Sequence, residues 1–336
     1  MVDSGSLPDE LRQPIHSPLS SGVSVVIITH NRPQLLRRAL ESVRTAGAVS
    51  EIVVVDNAST DETRQVCKSL PEIKYARIDR PQTLGAARNV GLMSSHGEYV
   101  TFLDDDDTRL AGSLARQLEI LKQRPEAGFV YGCAIIGDAE GRPTARSYPR
   151  DSFDGDIFWR LVEQNSIPSG SVVYRRAVFS RVGLFDDRDR ALGDWDMCVR
   201  ISEIYPVAVV STPVIIWRQS APDSRQITSD AAACISIAVN RFRHWMKLPR
   251  AIAAAKTRRR EAWRSFSLHA GEHLMCEAAR ALRRGLIGQS FRSVLTLVKL
   301  GPSTVPRIIF KRWRTIMKRL FQPPPRNADP QTSLGD

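Results

Sequence analysis

Four consecutive carboxylates, Asp104-Asp105-Asp106-Asp107, follow the apolar run Glu98–Leu103 (EYVTFL). Like charges this close repel, and the end of a buried strand offers little solvent to screen them. A divalent cation relieves that repulsion. Hard oxygen ligands suit Mg²⁺ or Mn²⁺, which one or two carboxylates commonly hold while phosphates take other positions. The alternative is an acidic turn capping a helix that begins near Leu110. A second acidic pair, Asp194 and Asp196, stands in GDWDMCVR (Gly193–Arg200). Gly193 lets the backbone turn and present Asp194 to a cleft, or Asp194 caps the following helix or pairs with Arg200. Asp56-Asn57 closes the run EIVVV. Its carboxylate suits hydrogen bonds to a base or ribose, and equally an Asx-turn.

Two other patterns carry less. His269-Ala270-Gly271-Glu272-His273 fits H-x-x-E-H, with two histidines on one helical face. No third-ligand motif accompanies it and arginines surround it, so it reads as a chance match. Neither G-x-G-x-x-G nor G-x-x-x-x-G-K-[ST] occurs, which leaves a dinucleotide dehydrogenase and a P-loop nucleotidase without their phosphate loops.

The acidic groups need elements to position them. Val23–Thr29 (VSVVIIT), Glu51–Val55 and Ile73–Ile78 join Glu98–Leu103 as short apolar runs, the pattern of strands buried on both faces of a parallel sheet. Helical spacing follows Pro33, a helix capped by Ser59 or Thr60 runs to Leu70, and a third spans Leu84–Ser95. This alternation predicts an α/β fold with right-handed crossovers and ligands outside the carboxyl ends of the strands. Thr29-His30-Asn31-Arg32, Asp56-Asn57 and the four aspartates all fall at such ends. Beyond residue 127 the alternation loosens, with strand-like runs at Ala127–Ile136, Ser171–Tyr174 and Val207–Trp217.

The remaining organisation follows from composition. The chain has 336 residues, 42% hydrophobic and 25% charged, and a net charge of +12, enough for a sizeable core and unlike a disordered or collagenous sequence. Residues 241–321 hold 20 Lys+Arg against Glu261, Glu272 and Glu277, so the remainder is net acidic. The expected division is a disordered tail over 1–22, an α/β domain over 23–225, a helical basic region over 226–321 and a disordered tail over 322–336. Five scattered cysteines suggest neither disulfides nor a zinc site. With no apolar leader and no run of the ~20 residues needed to span a bilayer, a cytoplasmic protein is expected. The basic tract lacks any nucleic-acid signature, so no nucleic-acid partner is expected. Its segment Val305–Phe321 mixes Trp, Phe and Ile with Arg and Lys, suiting either an amphipathic helix on the anionic inner face of a membrane or a packed cap with a solvated basic face.

Taken together, VSVVIITHNRP (Val23–Pro33), EIVVVDNASTDET (Glu51–Thr63), LGAARNVGL (Leu84–Leu92), YVTFLDDDD (Tyr99–Asp107) and GDWDMCVR resemble the family 2 glycosyltransferases of GT-A fold. The resemblance covers residues 23 to about 220. It implies a mostly parallel α/β sheet flanked by helices and an inverting, metal-dependent sugar transfer from a nucleotide-diphosphate donor, UDP- or dTDP-linked, to a hydroxyl of a saccharide or lipid-linked saccharide. By resemblance, Thr29, His30, Asn31, Arg32 and Asp56 line the base and ribose site, and Arg88 approaches the diphosphate or ribose. Asp104 and Asp106 form a D-x-D element, with Asp106 the direct Mn²⁺ or Mg²⁺ ligand and Asp105 facing ribose or sugar, Asp107 being a weaker candidate. Asp194 falls at the catalytic base, Trp195 and Asp196 at the acceptor side, and Trp217 and Arg218 in a segment folding over the donor. Asn57 replaces a second acid common in the family, and Ala111 a proline. The chemistry agrees. A metal neutralises a diphosphate leaving group, and one base opposite it gives a single displacement with inversion. A nucleotidyltransferase, or a non-catalytic sugar-nucleotide-binding scaffold, are the competing readings.

Overall fold

The computed structural model describes residues 20–188, 191–219, 230–301 and 306. Its strands are β1 (Ser20–Thr29), β2 (Val49–Asn57), β3 (Ile73–Ile78), β4 (Gly97–Asp104), β5 (Thr108–Arg109), β6 (Phe129–Gly137), β7 (Pro143–Tyr148), β8 (Val173–Arg175) and β9 (Val207–Arg218). Among them run helices α1 (Pro33–Thr45), α2 (Thr63–Lys68), α3 (Leu84–Ser94), α4 (Ser113–Gln123), α5 (Phe158–Glu163), α6 (Val178–Val182) and α7 (Gly193–Ile204). After β9 come α8 (Ala231–Trp245), α9 (Pro249–Ala253), α10 (Lys256–Arg283) and α11 (Ile287–Leu300).

All nine strands form one sheet in the order β3-β2-β1-β4-β8-β6-β9-β5, with β7 on β6. Strands β1 to β4 pair in parallel, as their continuous apolar runs require. Val25, Val26 and Ile27 of β1 and Val53, Val54 and Val55 of β2 are inaccessible to solvent because helices cover both faces. The other half of the sheet is mixed: β8 runs antiparallel to β4 and β6, whereas β9 lies parallel to β6. Helix α1 opens on Pro33 and turns Leu36, Ala39, Leu40 and Val43 inward at helical spacing.

Several local expectations differ from what forms. Strand β1 starts at Ser20, inside the span read as a tail; residues 1–19, the tail 322–336 and, apart from Pro306, the segment Val305–Phe321 lie outside the described residues. Helix α2 ends at Lys68 and is not capped by Ser59 or Thr60. Asp61 Oδ1 instead accepts from the Thr63 amide at 2.9 Å and its hydroxyl at 2.5 Å. Strand β7 has no sequence signature because its residues 143–147 are exposed on both faces. The described residues fall into two compact units, one within Met1–Ser229 and Ile237–Ala255, the other within Asp230–Ser236 and Lys256–Asp336. The first thus takes in residues 237–255, past the 23–225 span read from sequence.

Close approach of α3 to the sheet depends on Gly91. A Cβ there would sit 2.2 Å from Val26 Cγ1 and 3.1 Å from Val55 Cγ2, which no real contact tolerates. Gly91→Val should therefore destabilise the protein by about 1–3 kcal/mol through overpacking. Urea denaturation reads this directly, and a variant as stable as wild type would show that α3 can move off the sheet.

Candidate active site

Register brings the polar strand ends together. Thr29 pairs with Asp56 across β1 and β2, and Ile28 with Asp104 across β1 and β4. These carboxyl ends therefore finish at one level, where parallel sheets hold their ligands. A cleft of about 510 Å³ opens there, and Thr29, His30, Arg32, Arg88, Asp104–Asp107, Asp194 and Trp217 line it.

The aspartates are crowded and incompletely neutralised. Asp105 is buried, with Thr29 Oγ1 donating to its Oδ2 at 2.8 Å and Arg32 Nη1 to its Oδ1 at 3.1 Å. Burial, with Asp106 beside it, still pushes its carboxyl up to about 7. Arg32 also reaches Asp106 Oδ2 at 3.4 Å. Burial and the charges of Asp106 and Asp194 push Asp104 up to about 6, although Arg88 Nη2 stands 3.8 Å from its Oδ1. Asp107 is held well above the carboxylate range by burial and its acidic neighbours, even with the Arg218 amide donating to Oδ1 at 3.0 Å. Asp107 does not cap α4, whose N-cap is Gly112 with φ +66° and no side-chain bond.

Behind the cluster lies Arg109, fully buried, with Nη1 donating to Gln117 Oε1 at 2.7 Å and Nη2 to the Thr101 hydroxyl. Burial draws its guanidinium down to about 9, opposed by the Asp107 charge. The donor set at the strand end is all carboxylate oxygen. Among the described residues no three His, Cys, Asp or Glu side chains converge as a closed cage. Such a set fits a hard divalent cation that takes one or two carboxylates from the protein and its other ligands from a substrate. His269 and His273 in α10 form no such group either.

Asp194 meets this cluster from across the cleft. Leu192, at φ +65°, turns the chain into α7, and Asp194 stands half-buried in the first turn. Among the described residues its carboxylate takes no hydrogen bond and no ion pair, and α7 has no side-chain cap. Arg200 instead pairs with Asp196, at 2.8 Å. Two residues along a helix face nearly opposite directions. Asp196 accordingly turns into the core, where Trp245 Nε1 donates to Oδ1 at 2.9 Å and Arg241 stands 3.7 Å away. Trp195 is buried as well, its indole donating to Leu161 O at 2.6 Å and its ring 4.9 Å from that of Trp245. Neither Trp195 nor Asp196 lines the cleft, so the acceptor-side expectation for them gives way to a packing role.

The remaining expected residues divide in the same manner. His30 Nδ1 lies 2.8 Å from Asn57 O, and a carbonyl only accepts, so this nitrogen carries the proton. Asn31 and Asp56 do not line the cleft. Asn31, at φ +54°, donates its amide to Ser59 Oγ at 3.0 Å and accepts from the Thr60 amide at 2.7 Å. Asp56 is inaccessible and takes the Ser59 amide at 2.8 Å, Tyr75 OH at 2.6 Å and Arg77 Nη1 at 2.9 Å. Burial opposes its ionisation, but these bonds prevail and hold its carboxyl below the usual range. Arg88 is buried, donates to Ser169 Oγ at 3.0 Å, and leaves its buried Nε without a partner.

Sequence reasoning missed Gln82, Tyr148 and Ser169. Gln82 and Asn57 exchange amide bonds at 2.9 and 3.0 Å. The Tyr148 ring lies 5.8 Å from that of Trp217, tilted by 55°, and its hydroxyl is pushed up to about 12 by burial and the Asp194 charge. Only Trp217 had been singled out on that wall, and nothing in the exposed β7 marks Tyr148.

Comparison with known proteins agrees with this geometry. The family model described as "Glycosyl transferase family 2" matches residues 24–183. A "PGL/p-HBAD biosynthesis glycosyltransferase" of Mycobacterium bovis is 31% identical over 184 residues, covering 53% of this chain and 68% of the relative. The "Uncharacterized glycosyltransferase YwdF" of Bacillus subtilis is 29% identical over 210 residues, covering 61% and 76%. Among solved structures, S. aureus TarS matches at a TM-score of 0.59 and 16% identity over 89% of this chain and 52% of TarS, so the chain spans about half of that protein. TarS 1-349 in complex with UDP-GlcNAc matches at 0.54 and 16% identity, covering 88% and 92%. At such identity the likeness concerns the fold alone.

Two substitutions separate the packing acids from the cleft. Asp196→Ala removes the carboxylate to which Arg200 Nε and the Trp245 indole donate in the core. It should lower stability by about 3–5 kcal/mol, read by chemical denaturation, and an unchanged midpoint would contradict the assignment. The depressed Asp56 carboxyl stabilises the fold fully above its unfolded value near 3.9, and that contribution disappears as pH falls through its lower folded value. The stability gap between wild type and Asp56→Asn should therefore be widest near neutral pH and close below about pH 4. A gap independent of pH would show that the charge is not what stabilises.

Proposed function

The chain belongs to glycosyl transferase family 2 and has the GT-A fold, and on that premise we propose that it is an inverting, metal-dependent enzyme that moves a sugar from a nucleotide-diphosphate donor to an acceptor hydroxyl. The observation that carries this reading is the carboxylate of Asp194, which has no partner among the described residues and lies in the same cleft as the acidic strand end. A structural acid would be expected to have found a partner, as Asp196 and Asp56 have.

Thr29, His30 and Arg32 take the nucleoside end of the donor, with Asn31 and Asp56 holding the ends of β1 and β2 in place behind them. Arg88, which lines the cleft and holds a buried Nε–H without a partner among the described residues, would approach the donor's phosphates or ribose. Asp106, with Asp104, would hold Mn²⁺ or Mg²⁺, which when bound offsets charge building on the diphosphate leaving group. Asp105, locked by Thr29 and Arg32, fixes the position of its neighbours. Asp194 accepts the proton of the acceptor hydroxyl as the new glycosidic bond forms, because a carboxylate is too weak a base to ionise a free hydroxyl beforehand. Attack from the face opposite the leaving group inverts the anomeric centre, and no second nucleophilic carboxylate is needed. Trp217, against Tyr148, closes one wall of the cleft.

UDP- and dTDP-sugars are the donors to test first, the former because the TarS fragment of like fold binds UDP-GlcNAc. The name of one relative, the "GalNAc(5)-diNAcBac-PP-undecaprenol beta-1,3-glucosyltransferase" of Campylobacter jejuni, favours a saccharide or lipid-linked saccharide acceptor. Such an acceptor suits action at the cytoplasmic face of a membrane, toward which the basic C-terminal region would be drawn. Among the described residues no helix is long and apolar enough to cross a membrane.

Saturation-transfer NMR against a panel of nucleotide sugars, with and without Mn²⁺, tests the donor site. Wild type should bind one donor in a metal-dependent manner and Asp106→Asn should lose it. Asp194→Asn should keep donor binding and lose roughly 10²–10⁴ in transfer rate. A donor that binds equally well to Asp106→Asn would remove the metal, and full transfer by Asp194→Asn would remove the base. Binding without transfer to any acceptor would favour a non-catalytic scaffold.

A further inference from the structure

Helix α11 has two apolar faces, and among the described residues only one is packed. Ser293, Leu297 and Leu300 are buried. On the opposite side Ile287, Phe291, Val294, Leu295 and Val298 follow one another at helical spacing and are exposed, Ile287 by 71% and Phe291 by 67%. Scattered apolar residues on a surface need no explanation, but a continuous stripe does. Leu282 and Leu286, exposed just before the helix, extend it.

Charge says what covers the stripe. Arg292 and Lys299 lie on α11 about 100–120° around the helix from the centre of the stripe, Arg283 ends α10 and Arg284 stands in the turn between the two helices, all four exposed. Asp230 stands 3.5 Å from Arg292 in a surface pair that contributes little. Residues 256–301 carry ten Lys+Arg against three Glu. A second copy docking through this face would bring its own cations against these, which is unfavourable. An anionic leaflet offers opposite charge and an apolar layer together. Fourteen residues are too few to cross a bilayer, so the helix must lie in the plane of the interface.

We propose that α11 is an interfacial membrane-docking helix, with Ile287, Phe291, Val294, Leu295 and Val298 sunk between lipid headgroups and Arg283, Arg284, Arg292 and Lys299 held at anionic phosphates. This surface lies N-terminal to the Val305–Phe321 segment to which sequence composition points. It is independent of the chemistry proposed for the cleft, since lipid binding is read without any donor or acceptor.

Flotation of the full chain with vesicles tests it, using phosphatidylcholine alone and phosphatidylcholine with phosphatidylglycerol. Wild type should bind the anionic vesicles, weaken with added salt, and bind neutral ones at least about tenfold more weakly. The triple variant Ile287→Asn, Phe291→Asn, Val298→Asn should lose binding, with an unchanged far-UV circular dichroism spectrum. Arg283→Gln with Arg284→Gln, which leaves the apolar stripe intact, should weaken anionic binding about tenfold or more. No binding by wild type, equal binding to neutral vesicles, or wild-type binding by either variant would overturn the proposal. So would a wild-type dimer that the triple variant converts to a monomer without any lipid binding, which would make the stripe an interface between copies.

Discussion

Repulsion among four carboxylates at the end of one buried strand is the constraint around which this fold is arranged. The charges of Asp104 to Asp107 are met by Arg32 from the β1 end, Arg88 from α3, the Arg218 amide from β9 and buried Arg109 behind. Each comes from a different element, so the acidic turn depends on both the parallel and the mixed half of the sheet being in register. The compensation is partial all the same: three of the four carboxyls are held above their ordinary range. A structure that only needed a turn here could have used uncharged residues, which avoid the burial of ionised groups.

The same economy separates the remaining acids. Asp56 and Asp196 are saturated with donors and tie elements together, β2 to β3 in one case and α7 to α8 in the other. Asp194 differs from Asp196 only by facing the other side of the same helical turn. A two-residue offset on α7 thus decides which carboxylate is available to a substrate and which belongs to the core. The left-handed Leu192 fixes that rotation before the helix begins.

Much of this was legible in the sequence because the signals are physical. Apolar runs buried on both faces read as parallel strands, and β3 has the bounds its sequence suggested, Ile73–Ile78. Polar groups at the ends of β1, β2 and β4 read as one edge, and register brings them there. What escaped was whatever depends on contacts distant in sequence. Asp56 and Asn31 look like ligand groups in isolation, yet Tyr75, Arg77, Ser59 and Thr60 occupy them. Trp195 and Asp196 adjoin Asp194 in sequence but not in direction. Tyr148 belongs to the cleft through an exposed strand without periodicity, which no local pattern announces.

The central claim is that the strand-end aspartates share a cation with the diphosphate of a donor. Titration of Mn²⁺ followed by electron paramagnetic resonance, with and without a nucleoside diphosphate, tests it most directly. Because the described residues offer one or two carboxylates and no closed cage, binding should be weak with protein alone, tighten severalfold or more with the nucleotide, and vanish in Asp106→Asn. Mn²⁺ binding that ignores the nucleotide, or survives Asp106→Asn unchanged, would contradict the account.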